Sequence, residues 1–269
     1  MSGSAEFTDV MKVGGAVLGV EDAKGRLLGQ NDETFAIVGE EVSEDPGDIV
    51  LVSSFAIGRG MLETGVKERP NSVSELQRLA TIGQPLLHAT WAEHIPKKTT
   101  GQVLLTQQEL GPQTGNQPRI LEILRTIGVL LAHDDVPTIN ENDAISHEEI
   151  TFGSNDVLSA TLAANMQLSK RFGQVRLFLL TDVNGVYKNL KDPTTRMPII
   201  DSVNSQQGVA QGAPSRLRIG GMESKFQAAR IARYAGVPTY VYNPADGHRE
   251  AAVEGEIGTY FPVWTPHNP

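Results

Sequence analysis

The chain of 269 residues contains no cysteine, which excludes disulfides, thiolate metal ligands and thiol nucleophiles. Basic residues are also scarce. The 23 Lys and Arg against 32 Asp and Glu give a formal net charge of -9, which argues against a general nucleic-acid binder or a protein held to an anionic membrane. No apolar run reaches the length of a membrane span. The opening residues Met1 to Val10 lack the basic and apolar blocks of a secretion signal, so a cytoplasmic address is expected. The histidines are scattered, and His147-Glu148-Glu149 lacks metalloprotease spacing, so no protein-bound metal centre is expected. Trp91 and the other aromatics read as core or interface residues rather than base-stacking platforms. The Walker pattern Gly-x4-Gly-Lys-Ser/Thr and the dinucleotide fingerprint Gly-x-Gly-x-x-Gly are both missing.

What is present is an alternation of short β-rich runs and longer helical ones. Val10 to Leu18 is a β-rich run closed by Gly14-Gly15, and Lys12 interrupts its apolar side chains. A helix is expected near Asn31 to Val42, a buried strand over Ile49 to Ser54, and a helix over Ser72 to Leu87 interrupted at Gly83-Gln84-Pro85. Gln102 to Thr106 reads as a strand, Gln107 to Gln117 as a surface loop, and Pro118 to Leu131 as a helix. Strands follow at Val136 to Ile139 and Val175 to Asp182, with a helix over Val157 to Ser169 between them. A helix to about Tyr234 and strands at Thr239 to Tyr242 and Gly258 to Phe261 complete the pattern. Such alternation implies an α/β fold, a three-layer αβα sandwich around a mainly parallel sheet. One domain is expected over residues 11–262, with loose ends at 1–10 and 263–269.

Two polar knots stand out. Asn140-Glu141-Asn142-Asp143 follows the apolar run Val136 to Ile139, and Gly153-Ser154-Asn155-Asp156 precedes the apolar run from Val157. The first reads as the carboxyl end of a buried strand, the second as a Gly turn whose Asn or Asp caps a helix. In an open α/β sheet both kinds of end face one crevice. Amides and carboxylates gathered there can grip the ammonium and carboxylate of a zwitterion. Each knot alone would be read as a turn, since Asn and Asp favour turns.

The lysines point to phosphoryl transfer, which asks for cations and backbone donors around the moving phosphate. Lys12 beside Gly14-Gly15 can reach a phosphate from one side. Lys225, in Gly220-Gly221-Met222-Glu223-Ser224-Lys225, can do so from another, with helix N–H groups beside it. Asp156 can hold both ammonium groups, and Thr181-Asp182, after a long buried strand, can border a nucleotide.

The spacing of these pieces resembles the amino acid kinase family, most closely its glutamate 5-kinase branch. The matches include Lys12-Val13-Gly14, Val52-Ser53-Ser54, Ile82-Gly83-Gln84, Asn140-Glu141-Asn142-Asp143, Asn155-Asp156, Leu180-Thr181-Asp182, and Gly220-Gly221-Met222 with Lys225. The resemblance implies ATP-dependent phosphorylation of the glutamate side-chain carboxylate, the first step of proline biosynthesis. By position it implies Lys12 and Lys225 as the cations on the transferring group, with Asp156 between them. It implies Ser54, Asn140, Asp143 and Asn155 on glutamate, and Lys12, Thr181, Asp182, Gly220, Gly221, Met222 and Lys225 on ATP with Mg2+. A homo-oligomer, dimer or tetramer, is also implied. Phe55 stands where the family usually has Gly, and Ser154 where it has Asp. A bulky ring at 55 is expected to crowd or reshape the acceptor pocket. Two other readings therefore stay open: a kinase of the same fold acting on another small carboxylate, and an inactive nucleotide-binding relative with a regulatory or structural role.

Overall fold

The structure, a computed structural model, describes residues 6–111, 117–146, 155–201 and 221–265. Its centre is a seven-stranded sheet in the order β5-β6-β4-β1-β7-β8-β9. The strands are β1 (Phe7–Val13), β4 (Asp48–Ser53), β5 (Thr100–Leu105), β6 (Val136–Glu141), β7 (Gln174–Leu180), β8 (Thr239–Tyr242) and β9 (Thr259–Phe261). All neighbours pair in parallel except β8 and β9. A small hairpin, β2 (Gly19–Glu21) and β3 (Leu27–Gln30), lies apart.

Successive strand side chains point to opposite faces, so one strand feeds two cores. Val10, Val50, Val52, Leu177 and Leu179 belong to a core shared with α7 (Asn155–Ser169) and α8 (Gly221–Tyr234). Also on that face are α5 (Gln107–Leu110) and α6 (Gln117–Ala132). Met11, Val13, Ile49, Leu51, Phe178 and Leu180 face the other way. They meet α2 (Asp32–Glu44), α3 (Ala56–Thr64) and α4 (Val73–His94), with the short α1 (Gly15–Leu18) and α9 (Arg249–Val253) at the margins. The three-layer expectation holds. Among the described residues no helix is long and apolar enough to cross a membrane.

Several local expectations needed correction. The first strand opens at Phe7, and Thr8 to Val10, expected to be loose, are buried in it, while Gly15 to Leu18 form a helical turn rather than strand. The passage Phe55 to Gly60, expected to turn into the next segment, instead leads into a helix over Ala56–Thr64. Helix α4 runs on through Pro85 to His94, with Pro85 on its exposed side. The reason is the α3–α4 pairing. A Cβ on Gly60 would lie 1.9 Å from the Leu79 carbonyl oxygen, and one on Gly83 would lie 1.9 Å from that of Ala56. The glycines let two helical backbones touch, and that contact outweighs their poor helix propensity. The expected loop after Thr106 begins with α5, closed by a capping box between Thr106 and Glu109. At the carboxyl end, Trp264 N–H donates to the Arg233 carbonyl, so the expected loose tail is tied down at that point.

Phe55 precedes α3 with φ 91° and ψ 6°, a left-handed conformation that costs a non-glycine residue about 1–2 kcal/mol. Its ring is buried and folds onto Gly58, where an added Cβ would sit 2.3 Å from a ring carbon. Phe55 and Gly58 are therefore a matched pair. Gly58→Ala should destabilise the protein, yet in a Phe55→Gly background the same change should be neutral or stabilising, because the space is vacant and Ala favours a helix by about 1 kcal/mol. A double-mutant cycle by denaturant unfolding should give a coupling of at least about 1 kcal/mol. Additive effects would contradict the pairing.

Candidate active site

The carboxyl ends of β1, β4, β6 and β7 form one edge, since Val13 pairs with Ser53 on one side and Leu180 on the other. The amino ends of α3, α7 and α8 open onto this edge, each carrying the partial positive charge of a helix amino end.

Strand alternation decides where Lys12 points. Val10 faces the α7–α8 layer and Met11 the opposite one, so Lys12 returns to the α7–α8 side. There its Nζ lies 2.6 Å from Asp156 Oδ1 in the first turn of α7. Lys225, in the second turn of α8, places its Nζ 3.3 Å from Asp156 Oδ2, and the Ser224 hydroxyl donates to that same oxygen at 2.6 Å. All three charged residues are buried, with exposures of 5%, 1% and 9% for Lys12, Asp156 and Lys225. Two cations 213 positions apart in sequence thus converge on one carboxylate. Burial alone would push the Asp156 carboxyl up. The charges of Lys12 and Lys225, with hydrogen bonds from Lys12 and Ser224, outweigh it and hold the group well below the usual carboxylate range. Lys12 is held below its ordinary value, chiefly by burial. Asp156 opposes the shift and Lys225 adds to it. Gly14 keeps this flank open, because a Cβ there would stand 3.5 Å from Lys12 Nζ and 3.2 Å from the Leu180 carbonyl oxygen.

The amide-bearing side chains meet beside this centre. Asn155 or Asp156 was expected to cap the helix, but Asn155 does not. Instead it is the first residue of α7, and its Nδ2 reaches across to Ser54 Oγ at 2.9 Å, Asn140 Oδ1 at 3.1 Å and the Ser53 carbonyl at 3.3 Å. Ser54 N–H donates to the Val13 carbonyl, which ties the residue to β1. Asp143 lies half-buried in the turn after β6. Burial pushes the Arg69 guanidinium below its ordinary value, and the charge of Asp143 opposes that shift. Thr181 continues β7, with its N–H on the Tyr242 carbonyl and its hydroxyl 3.3 Å from Asp182 Oδ1. Gly221 begins α8 with φ 31°, and the Met222 side chain is buried in the apolar core, so the first turn offers backbone rather than that side chain. Gly220 and Ser154 lie outside the described residues.

Sequence reasoning missed Ser224, Arg69 and the role of α4. Gln84, His88 and Trp91 share one helical face at spacings of four and three. Gln84 meets Asn140, His88 meets Thr138, and Trp91 donates to Ser53 Oγ. The Ile82-Gly83-Gln84 match was the available signal, but no site role was drawn from it, since Gly83-Gln84-Pro85 was read as an interruption of the helix. The Phe55 ring, expected to crowd the acceptor side, lies against Gly58.

The model of the amino acid kinase family matches residues 8–243. A glutamate 5-kinase of Thermus thermophilus is 38% identical over 262 residues, covering 94% of this chain and 66% of that protein. One from Clostridium acetobutylicum is 35% identical over 224 residues, 79% of each chain. One from Corynebacterium diphtheriae is 36% identical and is covered over 55% of its length. The chain therefore spans just under two-thirds of the Thermus protein. Among solved structures, T. acidophilum isopentenyl phosphate kinase superposes with a TM-score of 0.60 at 16% identity, over 94% of this chain and 99% of that one. Giardia carbamate kinase gives 0.57 at 15%, over 97% and 99%. At those identities the likeness is one of fold. With its sheet order, its lysine–aspartate–lysine centre and a family match over most of its length, the chain belongs to the amino acid kinase family.

Proposed function

We propose that the chain is an ATP-dependent kinase that phosphorylates the side-chain carboxylate of L-glutamate to L-glutamyl 5-phosphate. The observation that carries this reading is the pair of buried ammonium groups on opposite oxygens of Asp156, at a strand edge where helix amino ends open. The likeness to glutamate 5-kinases at 35–38% identity supplies the acceptor.

In this reading Lys12 and Lys225 neutralise the phosphoryl oxygens, and Asp156 keeps the two cations at one spacing. Thr181, Asp182 and the backbone at Gly221 border the nucleotide. Ser54, Asn140, Asp143 and Asn155 hold the amino acid. A carboxylate oxygen attacks the γ-phosphorus, the bond to the bridging oxygen breaks, and ADP leaves with that electron pair. The acceptor is already ionised near neutral pH, since a free glutamate side chain titrates at about 4.3, so no general base is required. Asp156, ionised and engaged by two cations and a hydroxyl, suits positioning rather than proton transfer. Among the described residues no three His, Asp or Glu side chains gather into a metal cage. In this reading a magnesium ion would be carried on the triphosphate, with Asp182, after the end of β7, the carboxylate to help hold it. That ion would add Lewis-acid neutralisation of phosphate charge. A cytoplasmic homo-oligomer, dimer or tetramer, goes with the same reading.

Two measurements test it. Purified protein with ATP, magnesium and L-glutamate should form an acyl phosphate that hydroxylamine traps as a hydroxamate. Lys225→Ala should cut the rate by at least about a hundredfold while thermal unfolding stays cooperative. Turnover with another acid but not glutamate would change the substrate, and an active Lys225→Ala protein would remove that lysine from the chemistry.

The alkaline limb of the pH profile is the second. Lys12 must be charged to act, and its proton is held less tightly than at the ordinary value of 10.5. Activity should therefore be full at lower pH and fall as pH rises, with kcat/KM for ATP declining at a midpoint below 10.5. The limb in kcat should lie higher, because bound triphosphate favours the charged amine. A kcat/KM limb at or above the ordinary lysine value would contradict this role of Lys12.

A further inference from the structure

The hydrogen-bond partners of the two asparagines leave their amides only one workable orientation. The Glu141 backbone N–H can only donate, and it lies 2.8 Å from Asn140, so the Asn140 atom facing it is Oδ1. Asn140 Nδ2 then points the other way, at the side chain of Gln84 2.9 Å distant, and Gln84 must present Oε1 to it. Asn140 Oδ1 also faces Asn155 at 3.1 Å, so Asn155 must turn Nδ2 towards it. That same Nδ2 reaches the Ser53 carbonyl and Ser54 Oγ, both acceptors in these bonds. The chain of consequences has two ends. Asn155 Oδ1 is buried with no partner among the described residues. The Ser54 hydroxyl, having accepted through oxygen, keeps its O–H to donate.

From this we infer that Gln84 is a positioning residue. By accepting from Asn140 Nδ2 it reinforces the orientation that the Glu141 N–H and the Ser53 carbonyl set, so that the site keeps offering an acceptor at Asn155 Oδ1 and a donor at Ser54. That polarity fits an α-amino acid, with the ammonium on Asn155 Oδ1 and a carboxylate oxygen on the Ser54 O–H. The ligand assignment rests on the function proposed above, whereas the locking of the amides does not. Helix α4 suits the task. Its contact with α3 through Gly83 and Gly60 leaves little play, and Gln84, His88 and Trp91 meet β6 and β4 from one face. A donor in place of Gln84 Oε1 would oppose Asn140 Nδ2 and force a flip that also breaks the bond to Glu141.

The test uses Gln84→Met, close in size but without the acceptor, and Gln84→Glu, which keeps an acceptor oxygen. Two readouts are independent. In steady-state kinetics Gln84→Met should raise the KM for glutamate on the order of tenfold, with the KM for ATP within about twofold and kcat little changed. Gln84→Glu should recover most of the loss. By 15N NMR of the whole chain without substrate, the side-chain NH2 protons of Asn155 should exchange with solvent several times faster in Gln84→Met than in wild type, and Gln84→Glu should restore the slow rate. Unchanged Asn155 exchange in Gln84→Met would overturn the proposal. So would both variants raising the two KM values together with a fall in Tm, which is the signature of lost packing. If wild type does not turn over glutamate, the functional reading fails, and the exchange rates still decide the role of Gln84.

Discussion

The organising interaction is the Asp156 carboxylate, gripped on one oxygen by Lys12 and on the other by Lys225 and Ser224. Within the trio the charges sum to +1 in a place almost closed to water. An uncompensated buried charge costs several kcal/mol even after relaxation. In the proposed reading this surplus suits an incoming anion, and the helix amino ends at the same edge add to the attraction. Asp156 therefore does two opposed things. It makes burial of two lysines tolerable, and it stops short of neutralising them. A second carboxylate in the same spot would cancel the surplus and with it the attraction for phosphate that the proposed function needs.

Strand β1 also serves a second ion cluster, on its opposite face. Asp9 and Lys12 are three residues apart, an odd spacing, so alternation directs them to different layers. Asp9 receives a two-pronged contact from Arg176 and a further one from Arg249. Arg249, almost fully buried, also engages Glu41 and Asp45, and these carboxylates together raise its pKa despite the burial that would lower it. Here two guanidiniums meet three carboxylates, so both cations are paired within the cluster and leave no positive surplus for an anion. It fastens α9 to β1 and α2 near the amino end of β1. Two buried charge clusters thus differ in kind, and the test that separates them is whether the cations are outnumbered.

Much of this was legible in the sequence, for identifiable reasons. A lysine inside an apolar strand and polar knots at the ends of apolar runs are local violations of burial rules, and such violations survive in a one-dimensional reading. Lys12, Asp156, Asn140 and Asn155 were found that way. What stayed hidden depended on partners far along the chain. Gln84 meets Asn140 56 residues away. The helices 56–64 and 73–94 meet through two glycines that lower local propensity, so a propensity argument passed over the first and ended the second early. The β2–β3 hairpin is too short to show a period. At Phe55 the family habit of glycine was visible, and its backbone reason, a positive φ, was not.

The two halves of the site also divide their chemistry. In the proposed reading, charged groups sit where the phosphoryl group would move, and the acceptor side is mostly neutral amides and hydroxyls, with Asp143, whose charge acts on Arg69, the carboxylate among them. For a carboxylate acceptor this division has a physical reason. A lysine tightly paired to the attacking oxygen would hold its lone pairs and lower its nucleophilicity. An aspartate beside it would repel it. Asparagine and serine can fix the orientation of a zwitterion through hydrogen bonds that carry no net charge, which in the proposed reading would leave the surplus of +1 for the triphosphate. Neutral groups, however, recognise a ligand only if their dipoles are turned the right way, and an amide can present either end. An acceptor site built from amides is consequently only as selective as whatever holds those amides in place. In this chain that support comes from a backbone N–H on β6 and one glutamine on a helix anchored by glycine contacts.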